Sequence, residues 1–276
     1  MLTVPIGIFD SGFGGLTVLK DIRRMLPQFD YLYLGDNARA PYGDRSFDVI
    51  YEYTLQSVDF LFSQGCQLVL LACNTASARA LRTIQQNNLS KYPNHYRVLG
   101  IVRPTVERID TITKSKHIGI LATEGTVISN SYPIEIEKLF PQIAVYQESC
   151  PLWVPLVEQH IIDDYHAGPI IQQNISALLN QHDAIDAIIL ACTHYPILMD
   201  TILKHLPANI SLVTQGKIVA ASLQSYFLKH LHWQQILTQE GKCTFLTTDN
   251  AKIFNEKASY FYGEEVIAKQ IHLTTY

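Results

Sequence analysis

No apolar run in this chain approaches the roughly 20 residues of a membrane-spanning helix, so a transmembrane protein is not expected. Basic residues are also sparse. The 21 lysines and arginines are outnumbered by 25 aspartates and glutamates and form no cluster dense enough for a nucleic-acid surface. Cysteine is limited to five residues, an odd number, with no CxxC pair and no spacing that suggests a disulfide framework. Neither the dinucleotide fingerprint GxGxxG nor the phosphate-binding P-loop pattern occurs. Met1-Leu2-Thr3-Val4-Pro5 leads straight into a strand, without the basic-then-apolar pattern of a secretory leader. Together these absences predict a soluble cytoplasmic protein with free thiols, acting without nucleic acid or membrane.

What the chain does contain is ample apolar material, 47% of 276 residues, enough for one large or two small cores. It is arranged as short aliphatic runs alternating with helical periodicity. Ile6-Gly7-Ile8-Phe9, Tyr31–Leu34, Leu68–Ala72, Arg97–Val102, His117–Leu121, Ile143–Tyr146, Ala187–Ala191, Ile210–Val213 and Thr244–Leu246 read as strands. Helices are expected from Leu16 to Pro27, Ser46 to Gln64, Thr75 to about Asn88, Pro151 to about Asp163, Pro169 to Gln181 and Lys217 to Leu231, with shorter ones opened by Pro104 and Pro196. Alternating β and α units of this kind build parallel sheets wound by helices, an α/β fold. The tail beyond Ala251 has no clear pattern, and its Lys252, Lys257 and Lys269 read as solvated surface.

A weak internal repeat runs through this alternation. Ile6-Gly7-Ile8 returns as Ile118-Gly119-Ile120, 112 residues later, and each is followed by a small-residue turn and a helix. Leu70-Leu71-Ala72-Cys73 returns as Ile189-Leu190-Ala191-Cys192, 119 residues later. Two related, doubly wound halves facing one another are therefore expected, with the polar segment Asn87–Asn94 as a domain crossing. Ligands of open α/β sheets bind outside the carboxyl ends of the strands, so Cys73 and Cys192 would stand on opposite walls of one cleft.

Each of these thiols also precedes a helix N-terminus, a position expected to lower its pKa. His194 and Asp10 are within reach as proton partners, while Cys66, Cys150 and Cys243 read as structural. Three chemistries use two thiols. A zinc site would draw on Cys73, Cys192 and His194, but structural zinc takes four grouped ligands, so no metal is expected. A redox disulfide normally uses CxxC or a mobile resolving partner. Two-base proton transfer needs one base on each face of a carbon acid, which matched thiols from two half-domains supply. Ser11, Asn74, Thr75 and Thr193 offer neutral hydrogen bonds suited to the carboxylates of an amino acid. The missing nucleotide motifs are compatible with a cofactor-independent reaction, with a pyridoxal-phosphate lysine left open.

The motifs Asp10-Ser11-Gly12-Phe13-Gly14-Gly15, Pro41-Tyr42-Gly43, Cys73-Asn74-Thr75-Ala76-Ser77, Cys150–Glu158 and Ala191-Cys192-Thr193-His194-Tyr195-Pro196 closely resemble, in order, those of the bacterial glutamate racemases. The resemblance implies cofactor-free interconversion of L- and D-glutamate, supplying the D-isomer for peptidoglycan. It implies that Cys73 acts on the D-isomer and Cys192 on the L-isomer, assisted by Asp10 and His194. It places Asp10, Ser11, Pro41, Tyr42, Gly43, Asn74, Thr75, Thr126, Thr193 and His194 around the substrate. It further implies two α/β domains, residues 1–97 with 210–276 and residues 98–209, the C-terminal part returning to complete the first. A homodimer is a family expectation.

Two departures stand out. Arg103 lies in a segment where relatives vary, and Val213-Thr214-Gln215-Gly216 lacks the acidic residue often found there. Neither is expected to touch a motif residue. The first strand has no extension before it, and the relatives regulated by a peptidoglycan precursor carry one, so that regulation is not expected. An aspartate or hydantoin racemase would share the two thiols, and a gyrase-interacting binding protein with vestigial activity is the reading from another class.

Overall fold

A computed structural model describes residues 3–273 and shows an α/β protein built on two sheets whose strand pairings are all parallel. The larger sheet has six strands. They are β1 (Ile6–Asp10), β2 (Tyr31–Gly35), β3 (Leu68–Leu71), β4 (Arg97–Gly100), β9 (Cys243–Thr247) and β10 (Ala268–Gln270), in the order β10-β9-β2-β1-β3-β4. The smaller sheet contains β5 (His117–Ala122), β6 (Ala144–Ser149), β7 (Ala187–Ala191) and β8 (Ser211–Val213), in the order β6-β5-β7-β8. The inner order β2-β1-β3-β4 of the first sheet matches the whole order of the second. Thus the repeat seen in the sequence is a repeat of topology. β1 corresponds to β5, and β3, which delivers Cys73, corresponds to β7, which delivers Cys192.

Both faces of these strands are covered, which is why their sequences read as unbroken aliphatic runs. In β3 the alternate residues Leu68 and Leu70 join one core, and Val69 and Leu71 join the other. On the first face lie α1 (Gly15–Met25), α12 (Gly216–Lys229) and α14 (Ala251–Tyr262); on the second lies α2 (Phe47–Ser63), capped by the Ser46 hydroxyl. The expected helix after Cys73 is two shorter ones, α3 (Asn74–Arg79) and α4 (Leu81–Asn87), separated at Ala80. In the second sheet, α5 (Val102–Val106), α6 (Ile109–Ile112), α7 (Glu124–Ser129) and α8 (Ser131–Leu139) follow β4 and β5. α9 (Trp153–Glu158), α10 (Asp164–Leu179) and α11 (Met199–His205) accompany β6 and β7, and α13 (His232–Ile236) follows α12. The helix expected to run to Asp163 ends at Glu158, and α10 begins before Pro169 rather than at it.

The chain crosses between the sheets twice, after Gly100 and after Val213. The expected boundaries at 97/98 and 209/210 therefore cut through pairings. β4 is held by β3 in the first sheet, and β8 by β7 in the second. The Asn87–Asn94 segment, expected to be the crossing, stays with the first sheet because β4 follows it there. The tail forms α14 and β10, which close the first sheet through Phe254, Ala258, Phe261 and Val266. One core is continuous through both halves, joining Leu16, Leu70 and Val219 to Trp153, Leu190 and Tyr195.

Trp153 is fully buried in that core, and its indole Nε1 donates to Asn174 Oδ1 at 2.9 Å. Trp153→Ala is expected to cost about 3–5 kcal/mol of folding stability, read as a lower urea midpoint with an unchanged slope.

Candidate active site

The carboxyl edges of the two sheets face each other across a cavity of about 440 Å³. Its wall carries both thiols, Cys73 and Cys192, together with Ser11, Pro41, Tyr42, Gly43, Asn74, Thr75, Thr193 and His194. Ten of the twelve distinct residues expected at the site are therefore brought together, and two stand behind the wall. Asp10 is completely buried at the end of β1. Thr126 is buried in α7, and its hydroxyl bonds Thr123 Oγ1 at 3.1 Å. It is Thr123, capping the same helix, that reaches the cavity and bonds Thr75 Oγ1 at 2.9 Å across the two halves.

The first wall is built on β1 and β3. Cys73 caps α3, and its Sγ accepts from the Ala76 amide at 3.5 Å and pairs with Ser11 Oγ at 3.5 Å. The start of α3 leaves the amide groups of Asn74 and Thr75 without helical partners beside the thiol. Contrary to the sequence expectation, burial pushes the Cys73 thiol up to about 12, and the nearby Asp10 charge adds to the rise; the bonds from Ser11 and Ala76 offset only part of it. Desolvation outweighs the helix terminus here because the thiol is almost wholly withdrawn from solvent. Asp10 is itself raised by burial, with the His194 charge and the Gly12 and Gly15 amides pulling back. Gly12 N–H donates to its Oδ2 at 2.9 Å, and Thr193 Oγ1 donates to Oδ1 at 3.4 Å.

The glycines of Asp10–Gly15 serve close packing. A side chain at Gly14 would collide with Thr193 Oγ1 and lie 2.5 Å from His194 Nδ1, and one at Gly15 would lie 2.5 Å from the Asp10 Cβ. Only glycine lets α1 of the first half approach the second thiol's loop this closely. The Pro41-Tyr42-Gly43 loop is held by Asp36, which accepts from Tyr42 OH at 2.5 Å, Arg39 Nε at 2.7 Å and Thr248 Oγ1 at 2.8 Å. Gly43 O then accepts from the Gly125 amide at 2.7 Å, tying the loop to α7.

On the second wall, His194, two residues past Cys192, hydrogen-bonds Glu158 Oε1 at 3.0 Å. Burial pulls the His194 pKa down, but the neighbouring Cys192 and Glu158 overcome it and raise it to about 10. Glu158 is held low in turn: burial opposes its charge, but His194 outweighs that, with Lys257 helping. His194 and Glu158 line the cavity together with Cys192.

Sequence reasoning passed over Thr123, Glu158, Cys150 and Lys257, all of which line the cavity. Glu158 closes the quoted Cys150–Glu158 motif, and Thr123 stands in the turn of the repeated strand–turn–helix layout, so both carried a signal. Lys257 did not. It was expected on the solvated surface, yet it is half-buried, sits 5.7 Å from the centre of the Phe13 ring and, among the described residues, is the one Lys or Arg on the wall. Among the described residues no three His, Cys, Asp or Glu side chains are grouped so as to hold a metal ion.

A sheet pair with matched thiols at matched strand ends defines a class. Residues 8–223 match the family model for Asp/Glu/hydantoin racemases, and the chain belongs to that family. Over 271 residues it is 36% identical to the glutamate racemase of Persephonella marina, covering 98% of both chains. The same identity relates it to the glutamate racemase of Enterococcus faecalis, covering 97% of this chain and 96% of that one. Among solved structures, the glutamate racemase of Francisella tularensis in complex with D-glutamate superposes with a TM-score of 0.87, at 30% identity over all of both chains.

His194 is expected to stay protonated to about pH 10. Its folded pKa lies above the ordinary 6.5, so its contribution to stability is complete below pH 6.5 and is lost as pH rises toward 10. An NMR titration of the imidazole should give a midpoint near 10, moved down by Glu158→Gln; a midpoint near 6.5 in the unaltered protein would contradict the assignment.

Proposed function

We propose that this protein is a cofactor-independent glutamate racemase in which Cys73 and Cys192 act on opposite faces of the substrate Cα. The observation that carries the reading is that two thiols, from corresponding strands of two related halves, line one cavity. The cavity volume of about 440 Å³ is ample for a small amino acid, and relatives over the whole chain length are glutamate racemases.

In this reading L-glutamate loses its Cα proton to the Cys192 thiolate, while the Cys73 thiol delivers a proton to the other face. The product is D-glutamate, with Cys192 protonated and Cys73 a thiolate, and the reverse reaction exchanges the roles. Protonated His194 sits beside Cys192 to stabilise its negative charge. Asp10, its carboxyl raised by burial, stands behind Cys73 to take the proton that thiol must shed when the D-isomer is the substrate. Ser11, Tyr42, Gly43, Asn74, Thr75 and Thr193 hold the substrate, with Pro41 shaping the loop. Thr123 replaces Thr126 in direct contact, and Thr126 supports it. The two units clasping the substrate are the strands of each sheet with their helices, the C-terminal part completing the first. The D-isomer serves peptidoglycan synthesis.

Incubation of metal-free and pyridoxal-phosphate-free protein with L-glutamate in D2O tests this directly. Optical rotation should decay to zero as deuterium enters Cα, and Cys73→Ser and Cys192→Ser should each lower the racemisation rate by about 10²- to 10⁴-fold. Activity on aspartate with none on glutamate would overturn the substrate assignment, and silence on both would overturn the racemase reading.

A further inference from the structure

Gln215, one of the departures noted in the sequence, was not expected to touch a motif residue, and it does. It is buried where the chain crosses from β8 to α12, and it joins side chains from both halves. The direction of each hydrogen bond follows from one backbone group. The Ile101 carbonyl can only accept, and Thr105 Oγ1 donates to it at 2.8 Å. The Thr105 oxygen is then an acceptor for its other partner, which fixes Gln215 Nε2 toward it at 2.9 Å. The second Nε2 hydrogen reaches Tyr132 OH at 2.7 Å. Tyr132 in turn donates to Asn74 Oδ1 at 2.7 Å, and Asn74 Nδ2 donates to Gln215 Oε1 at 2.6 Å.

Three side chains thus close a ring in which every donor meets an acceptor. Asn74 Nδ2 carries two hydrogens and the ring uses one. Of Asn74, Tyr132, Gln215 and Thr105, only Asn74 lines the cavity. Reversing its amide would bring two carbonyl oxygens together and leave Tyr132 OH facing an N–H group, an arrangement with unmet polar groups in a buried site. We propose that Gln215 and Tyr132 are positioning residues that lock the Asn74 amide with its free N–H toward the substrate, as a donor to a carboxylate. The proposal rests on the amino-acid racemase reading above and adds to it the reason Asn74 presents a donor rather than an acceptor.

Gln215→Met keeps the length of the side chain and removes its bonding. It is expected to raise KM for both glutamate isomers about tenfold, the loss of a hydrogen bond to a charged group, with kcat changed by less than about threefold. In an Asn74→Ala background the same substitution should have no further effect on KM, because the positioned group is gone. Tyr132→Phe, which deletes one oxygen, repeats the test if Gln215→Met fails to fold. A separate readout needs no turnover: in 15N-labelled protein one Asn74 side-chain proton should be protected from exchange and the other exposed, and Gln215→Met should abolish the difference. Equal exchange of the two protons, an unchanged KM in an active enzyme, or additive losses in the double variant would overturn the positioning role. Ring protection that responds to Gln215→Met in a wild type inactive on glutamate would keep the amide lock and overturn the substrate reading instead.

Discussion

A parallel sheet sends all of its strands out at the same edge, because each return path is a helix laid across a face. That constraint organises this protein. β1 and β3 deliver Asp10 and Cys73 at one edge, β7 delivers Cys192, Thr193 and His194 at another, and the two edges face each other. No single loop had to assemble the site. Its parts arrive separated by more than a hundred residues, each positioned by strands buried on both faces and so unable to slip in register.

Burial then sets the chemistry. Placing Asp10, Cys73, Cys192 and His194 out of water raises the cost of every unpaired charge, so each side chain's state follows from its partners. The two walls resolve this differently. On the Cys192 side a carboxylate, Glu158, compensates the imidazolium, and His194 keeps its charge despite its burial. On the Cys73 side the neighbour is an acid, and the thiol keeps its proton. Two chemically identical thiols on matched strands therefore rest in unlike surroundings.

The features legible in the sequence were those with local or periodic signatures. The strand runs, the small-residue turns and the doubled Ala-Cys ending gave the α/β class, the two related halves and the paired thiols. What escaped depends on contacts between distant segments. Nothing near residue 257 announces that α14 will bring its lysine to the cavity, because the Phe13 ring beneath it lies more than two hundred positions away. Gln215 reads as a polar residue after a short strand, and its partners Asn74, Tyr132 and Thr105 come from three other elements. Helical periodicity continues across the break at Ala80, whereas the early start of α10 has a local cause that was missed, the Asp163 carboxylate accepting from the His166 amide. The helix terminus at Cys73 was read correctly, but its effect on the thiol was not, since the degree of burial is invisible in sequence.

Among the described residues the backbone passes between the halves twice, after Gly100 and after Val213, and Gln215 reaches from the second crossing to Thr105 just past the first. Two points define a line. A relative movement that keeps both sheets intact and stretches neither crossing is a swing about that line, like a door on two pins. Both crossings leave their sheets at the carboxyl edges that carry Cys73 and Cys192, so the pins stand at the rim of the chamber, with Asn74 bonded to Gln215 beside the second of them. The two halves are thereby tied together at a side chain that also lines the chamber.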